Sequence, residues 1–325
     1  MSPPSLLMGC GGLGPIWSQD PSKLAEDFKR ARITGIDCAA RYPADNPGGS
    51  EKRLGECKLH EEGFAIDTKI LIMGNGDGSL SEGKIIESVE RSLKMLGVDK
   101  LNVLYCHGPD RTTPLEEQAS TLDSLYRAGK FSKLGISNFD PEMLSSFLAV
   151  CKEKGYVKPS VYQGQYNLLC RTYESTLFPL LHKHNVSFIG FSPLAGGYLT
   201  GKLTLANSKD ELRGTRFEER EGNIMGMAFR YWYDKPAFHD AIRKMEILCK
   251  DHGISLADAA WRWVLYHSAL SGEKGDGVVI GPSTVEQLEG YAEGFRAGPL
   301  PRELAEELGG VWEGVREEAG KIVRY

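Results

Sequence analysis

Four residues in the first third of the chain could share acid–base chemistry: Asp37 and Tyr42 in GIDCAARYP, Lys69 in AIDTKIL and His107 in LNVLYCHGPD. Asp37, Lys69 and His107 each follow a short apolar run, the signature of a buried strand. Titratable residues at the C-terminal ends of successive buried strands are the usual catalytic positions of a parallel barrel. Tyr42 follows Asp37 by five residues, on the loop that leaves that strand. A phenol is a weak acid, with a reference pKa of about 10. A neighbouring ammonium stabilises the phenolate and lowers that value. Lys69 would do this for Tyr42, Asp37 would fix Lys69, and His107 would orient the oxygen that Tyr42 protonates. Taken singly, each residue reads more simply as a cap, a rim charge or a structural histidine. Their joint placement points to chemistry.

The elements that must position these residues alternate along the chain. Apolar runs predict strands at 6–9, 35–38, 64–71, 101–107, 133–137, 160–163, 187–192 and 278–281. Amphipathic stretches predict helices at 21–33, 50–60, 82–96, 115–128, 141–154, 173–184, 235–252 and 284–293. Asp20-Pro21 and Asp140-Pro141 are helix starts, with Asp as N-cap and Pro in the first turn. Such alternation predicts a parallel sheet. Eight units predict a closed (β/α)8 TIM barrel, expected as a single domain over residues 1–325. A further helix is expected at 254–266, and one helix with an extension at 301–325. The long segment 195–234, rich in glycine and charge, follows the seventh strand. It is expected to bury little apolar surface and to be mobile without ligand.

Composition excludes several other classes. The chain has 325 residues, 41% hydrophobic and 26% charged, and a net charge of −5 with no basic stripe, so nucleic acid is not an expected partner. Seven cysteines form no C-x-x-C pair. An odd number in apolar surroundings fits a reducing, cytoplasmic setting rather than a disulfide framework. The start, MSPPSLLMGCGG, has no cationic segment before a long apolar one, so neither a secretory signal nor a membrane span is expected. The histidines are dispersed and no metal site is expected.

Two motifs mislead. GCGGLG at 9–14 matches a dinucleotide fingerprint, with Asp37 at a suitable distance, but PIWS intervenes before any helix. Tyr-x-x-x-Lys, the pair of short-chain dehydrogenases, occurs at both Tyr126/Lys130 and Tyr198/Lys202, which shows how little it selects.

A longer set of segments carries more. GIDCAARY, the lysine of DTK, LYCHGPD, LGISNF, VYQGQYN, FSPLAGGYLTGK and GPSTVEQLEG occur in one order over essentially the whole chain. In this the chain resembles the aldo-keto reductases, which reduce carbonyls with NADP(H) on a (β/α)8 barrel. YCHGPD, YQGQYN and PLAGGYLTGK are most similar to the aflatoxin-aldehyde reductase branch. The resemblance assigns the catalytic roles to Asp37, Tyr42, Lys69 and His107. It implies that Ser137, Asn138 and Gln163 hold the cofactor's carboxamide. It implies that Ser192, Pro193, Leu194, Gly196, Gly197 and Lys202 wrap the pyrophosphate, with Arg216 nearby. Gly281, Ser283 and Gln287 resemble the site for the adenosine 2′-phosphate, where a helix N-terminus suits an anion. Gln287 replaces the arginine of many members, and Tyr291 an asparagine. For substrate, the resemblance implies Arg230 as a carboxylate anchor and Arg324 reaching in from the tail. His107, Trp17, Trp232 and Tyr231 are expected at the pocket, and Met227 stands where the branch has a tyrosine.

The leading expectation is NADPH-dependent reduction of a small-molecule aldehyde or ketone. The alternatives are an aryl-alcohol dehydrogenase working oxidatively, and a cofactor-binding regulatory subunit with little turnover. The expected partner is the carbonyl substrate, without membrane, and a homodimer is admitted.

Overall fold

Asp20 and Asp140 cap the helices they precede. Asp20 Oδ1 accepts from the amides of Ser22 and Lys23, and Asp140 Oδ1 from that of Met143 at 2.7 Å. Such an oxygen satisfies amides the first turn leaves open, and proline tolerates the first helical position. Gly97 and Gly155 end two helices in the left-handed region, with φ of 67° and 70°.

The computed structural model describes residues 2–323. Its strands are β1 (Ser5–Gly9), β2 (Ile33–Asp37), β3 (Ala65–Lys69), β4 (Leu101–Cys106), β5 (Phe131–Ser137), β6 (Val161–Gln165), β7 (Ser187–Phe191) and β8 (Gly277–Ile280). They pair in parallel and in order, and β1 closes on β8. The helices around them are α1 (Pro21–Arg30), α2 (Gly49–Cys57), α3 (Glu82–Leu96), α4 (Leu115–Arg127), α5 (Pro141–Lys154), α6 (Tyr173–Thr176) and α7 (Phe178–His184). There follow α8 (Lys202–Leu205), α9 (Ile224–Tyr233), α10 (Pro236–Asp251), α11 (Leu256–Tyr266), α12 (Val285–Ala297), α13 (Arg302–Gly310) and α14 (Trp312–Gly320). This is the (β/α)8 TIM barrel that the alternation implies, with a helical C-terminal segment.

Three expectations change. The helix expected at 173–184 is two, broken at Leu177 ahead of Pro179. The tail is two helices, broken at Val311. The segment 195–234 is not poor in apolar burial: Tyr198, Leu199, Leu212, Phe217, Phe229 and Tyr233 are all buried, and its end is the helix α9. Aromatic residues spaced along a polar sequence anchored it, each contributing about 1.5–3 kcal/mol.

Two apolar layers hold the frame. Leu7, Val103, Tyr105, Val161, Ile189 and Val279 fill the barrel's inside. A larger cluster packs the strands' outer faces against the helices. The register aligns Gly9 with Asp37, Asp37 with Asp67, Lys69 with Tyr105 and Ser137 with Gln163. The strand ends singled out by the sequence therefore share one mouth of the barrel.

Candidate active site

Lys69 is the centre of the site. It is 1% exposed, and an ammonium so buried must be paired. Its Nζ donates to Asp37 Oδ1 at 2.7 Å, to Asp37 Oδ2 at 2.8 Å and to the Cys38 carbonyl at 2.8 Å. All three of its protons are thus committed. Asp37 Oδ1 also accepts from Gln163 Nε2 at 2.7 Å. Lys69 Nζ lies 5.3 Å from the centroid of the Tyr42 ring, and 5.6 Å from that of Tyr105. Lys69 therefore acts on Tyr42 through space rather than by a hydrogen bond. The rings of Tyr42 and His107 meet edge to face, with centroids 5.5 Å apart. The structure brings all four residues together.

The electrostatics refine the expected roles. Burial raises the Tyr42 phenol above its ordinary value, and the Lys69 charge opposes this without overcoming it. The expected lowering by Lys69 exists as one contribution, but desolvation outweighs it. Tyr42 is therefore fully protonated near neutral pH, as a proton donor must be. Burial alone would lower Lys69, but Asp37 and Tyr42 raise it, so it stays charged. His107 is pushed down to about 3 by desolvation, then by Lys69 and Arg41, and is neutral. Its Nδ1 is buried without a hydrogen-bond partner among the described residues.

The expected carboxamide contacts sit beside this cluster. Asn138 Nδ2 donates to the His107 carbonyl at 2.9 Å and to Ser137 Oγ at 3.1 Å, which ties the ends of β4 and β5. Asn138 has a φ of 62°, a left-handed conformation that asparagine tolerates. Gln163 is buried, with its amide on Asp37. Ser192 and Ala195 after β7 also have positive φ, at 58° and 51°. Pro193 is buried, Leu194 half-buried, and Gly196 and Gly197 have φ of 66° and 99°. Lys202 is exposed. The Arg216 guanidinium lies 5.0 Å over the Phe229 ring, and desolvation lowers its pKa. Gly281, Ser283 and Gln287 are exposed, and Ser283 N donates to Gln287 Oε1 at 2.7 Å, tightening the start of α12. Tyr291 is packed edge-on against Trp261. Amide and hydroxyl side chains beside Tyr42 and His107, a glycine turn and a guanidinium that has no carboxylate partner among the described residues fit the polar groups of a nicotinamide dinucleotide.

The substrate candidates divide. Trp17 is 2% exposed and packs edge-on against Phe28, so it fills the core rather than lining a pocket. Arg230 donates to the Phe217 carbonyl and to Asp234. Trp232 packs on Phe229 at 5.1 Å, while Met227 and Tyr231 are exposed. Arg324 lies outside the described residues.

Some participants have no sequence signal of their own. The Cys38 carbonyl is a backbone group, and Tyr105 reads as one more apolar strand residue. Gln165 Nε2 and Asn167 Nδ2 both donate to the Tyr233 hydroxyl, at 2.8 and 3.1 Å, and dock α9 on the end of β6. Period-two alternation along β3 could have found Asp67, two residues before Lys69 and on the same face. It is buried, accepts from Asn102 Nδ2 and Val103 N, and desolvation raises it to about 7.

The comparisons with known proteins agree with this geometry. Residues 6–313 match the model of the aldo/keto reductase family. An aldo-keto reductase of Pseudocercospora fijiensis is 36% identical over 271 residues, 83% of this chain and 90% of that protein. An oxidoreductase of Leptosphaeria maculans is 34% identical over 94% of this chain and 89% of its own length. Aflatoxin B1 aldehyde reductase member 2 of Homo sapiens is 34% identical over 90% of this chain and 81% of its own length. A barrel with this mouth, matched along nearly its whole length, belongs to the aldo/keto reductase family of oxidoreductases.

Proposed function

We propose that this chain reduces an aldehyde or ketone to the alcohol, with NADPH as reductant and Tyr42 as proton donor. The observation that carries the proposal is the Lys69 ammonium, gripped by Asp37 and set 5.3 Å over the Tyr42 ring. A bound nicotinamide supplies the hydride. Tyr42 gives its proton to the substrate oxygen, and the field of Lys69 stabilises the phenolate left behind. His107, being neutral, donates a ring N–H to the same oxygen and orients it without competing as an acid. Asp37 keeps Lys69 in place, and Gln163 and the Cys38 carbonyl complete its cage.

Ser137, Asn138 and Gln163 would hold the carboxamide. Ser192, Pro193, Leu194, Gly196, Gly197 and Lys202 would follow the pyrophosphate, and Gly281, Ser283 and Gln287 the adenosine end. The choice of NADPH over NADH is supported by Arg216, an exposed cation laid over Phe229 that makes no ion pair among the described residues, and by the N-terminus of α12. The aldehyde reductases among the relatives support an aldehyde substrate. Seven free thiols support a reducing, cytoplasmic setting. No helix among the described residues is long and apolar enough to cross a membrane.

The test is a panel of carbonyl compounds with NADPH and with NADH, followed at the nicotinamide absorbance. Turnover of aldehydes with higher efficiency for NADPH is expected. Equal efficiency with both would remove the cofactor preference. Tight cofactor binding with no turnover of any carbonyl would favour a regulatory role.

A further inference from the structure

The sequence offers Arg230 as an anchor for an acidic substrate, but its guanidinium has other work. Nε and Nη2 donate to the Phe217 carbonyl at 3.2 and 2.6 Å, and Nη1 donates to Asp234 Oδ2 at 2.8 Å. Glu219 Oε1 stands 3.8 Å from Nη2. The other oxygen of Asp234 lies 2.9 Å from His239 Nε2 on α10. His239 Nδ1 in turn meets Thr204 Oγ1 of α8 at 2.8 Å and the Tyr198 hydroxyl at 3.2 Å. A continuous chain of polar contacts therefore runs from α10, through Asp234 and Arg230, to the backbone at Phe217.

That backbone carries Arg216. The Arg216 carbonyl accepts from Asn223 Nδ2 at 2.9 Å, and the next carbonyl is the one Arg230 grips. The Arg216 side chain is laid over Phe229, and Phe229 leaves Gly196 no room for a side chain. Arg230 has its charge balanced by two carboxylates, whereas Arg216 makes no ion pair among the described residues. A substrate carboxylate would have to compete with Asp234 and Glu219 for Arg230. An anion reaching Arg216 has no such competitor.

We propose that Arg230, Asp234 and His239 are positioning residues that hold Arg216 ready for the cofactor, and that Arg230 is not the anchor of an acidic substrate. The proposal rests on Arg216 being a cofactor contact, as given above. The relay acts on cofactor affinity, and its loss is blind to the charge of the carbonyl substrate.

The test is a double-mutant cycle on NADPH binding, read by quenching of intrinsic tryptophan fluorescence in the full chain. Arg230→Leu should raise the NADPH Kd roughly tenfold, the scale of a charge-assisted hydrogen bond. In an Arg216→Leu background the same substitution should cost less than about twofold, because the group it positions is gone. Asp234→Ala, at a more exposed position, should act in the same direction and serves if Arg230→Leu does not fold. In turnover, Arg230→Leu should lower kcat/KM equally for a neutral and an acidic aldehyde. An equal cost of Arg230→Leu in both backgrounds would overturn the relay, since it would mean general damage. A loss confined to the acidic aldehyde would overturn it and restore the substrate anchor. If Arg216→Leu itself leaves NADPH affinity unchanged, the cofactor role of Arg216 fails, and the relay with it. If Arg216→Leu weakens binding but neither Arg230→Leu nor Asp234→Ala does, the relay alone fails.

Discussion

At the scale of the residue, Lys69 has two tasks that a variant can separate. It neutralises a buried carboxylate at the mouth of the barrel, and it places a positive charge beside a phenol. Removing it leaves Asp37 buried and unpaired, which costs about 3–5 kcal/mol. Lys69→Met should therefore lose both stability and turnover, the latter by orders of magnitude. Adding Asp37→Asn removes the orphaned charge, so the double variant should regain most of the stability in urea unfolding and none of the turnover. Recovery of turnover in the double variant would contradict a direct role for the ammonium. Three of the catalytic candidates, Asp37, Lys69 and His107, are legible in the sequence because each follows an apolar run, and Tyr42 is legible by its place on the loop after Asp37; a closed barrel leaves strand ends nowhere else to go. Their protonation states are not legible. The elevated phenol of Tyr42 and the neutral imidazole of His107 come from burial, which depends on the packing of several strands at once.

At the scale of the element, the segment between β7 and α10 shows where sequence reading fails. Its glycines and charges resemble those of a mobile loop, yet Tyr198, Phe217, Phe229 and Tyr233 are buried and interlocked. Four aromatics spread over 36 positions have no period, so no window of sequence reveals them as one cluster. The eight strands are legible because they repeat. The same segment explains two demands for glycine in the turn after β7: a left-handed backbone at Gly196 and Gly197, and at Gly196 also no room for a side chain. At Gly196, φ is 66° and a Cβ would collide with the Phe229 ring. At Gly197, φ is 99° and the nearest neighbour, Phe217, is 3.9 Å away. Gly196→Ala should thus cost about 1–3 kcal/mol more than Gly197→Ala, the scale of an overpacked core. Urea midpoints of the two variants would show it, and equal midpoints would mean that Phe229 moves aside freely.

At the scale of the whole molecule, half-buried His107 and buried Asp67 tilt stability against pH in opposite directions. His107 titrates at about 3 in the fold, against about 6.5 when unfolded. Between those values only the unfolded chain binds the proton, so this contribution falls as pH falls. Asp67 titrates at about 7 in the fold, against about 3.9 when unfolded. Between those values the fold keeps a proton that the unfolded chain has released, so this contribution falls as pH rises. Asp67→Asn retains an acceptor for Asn102 Nδ2 and Val103 N, and its stability relative to the parent should improve from pH 4 to pH 8. His107→Gln should show the reverse trend, improving toward pH 4. Urea unfolding at both pH values measures each, and a flat difference for either variant would mean that the group is not desolvated as described. The central claim concerns the proton that the assembled barrel delivers, and it is tested most directly by Tyr42→Phe. The substitution removes one oxygen and leaves the Lys69–Asp37 pair and the ring contact with His107 in place. With NADPH and an aldehyde that the parent reduces, the account predicts an unchanged NADPH Kd and hydride transfer slowed by at least about a thousandfold in a single turnover. Hydride transfer within a few-fold of the parent rate would contradict it.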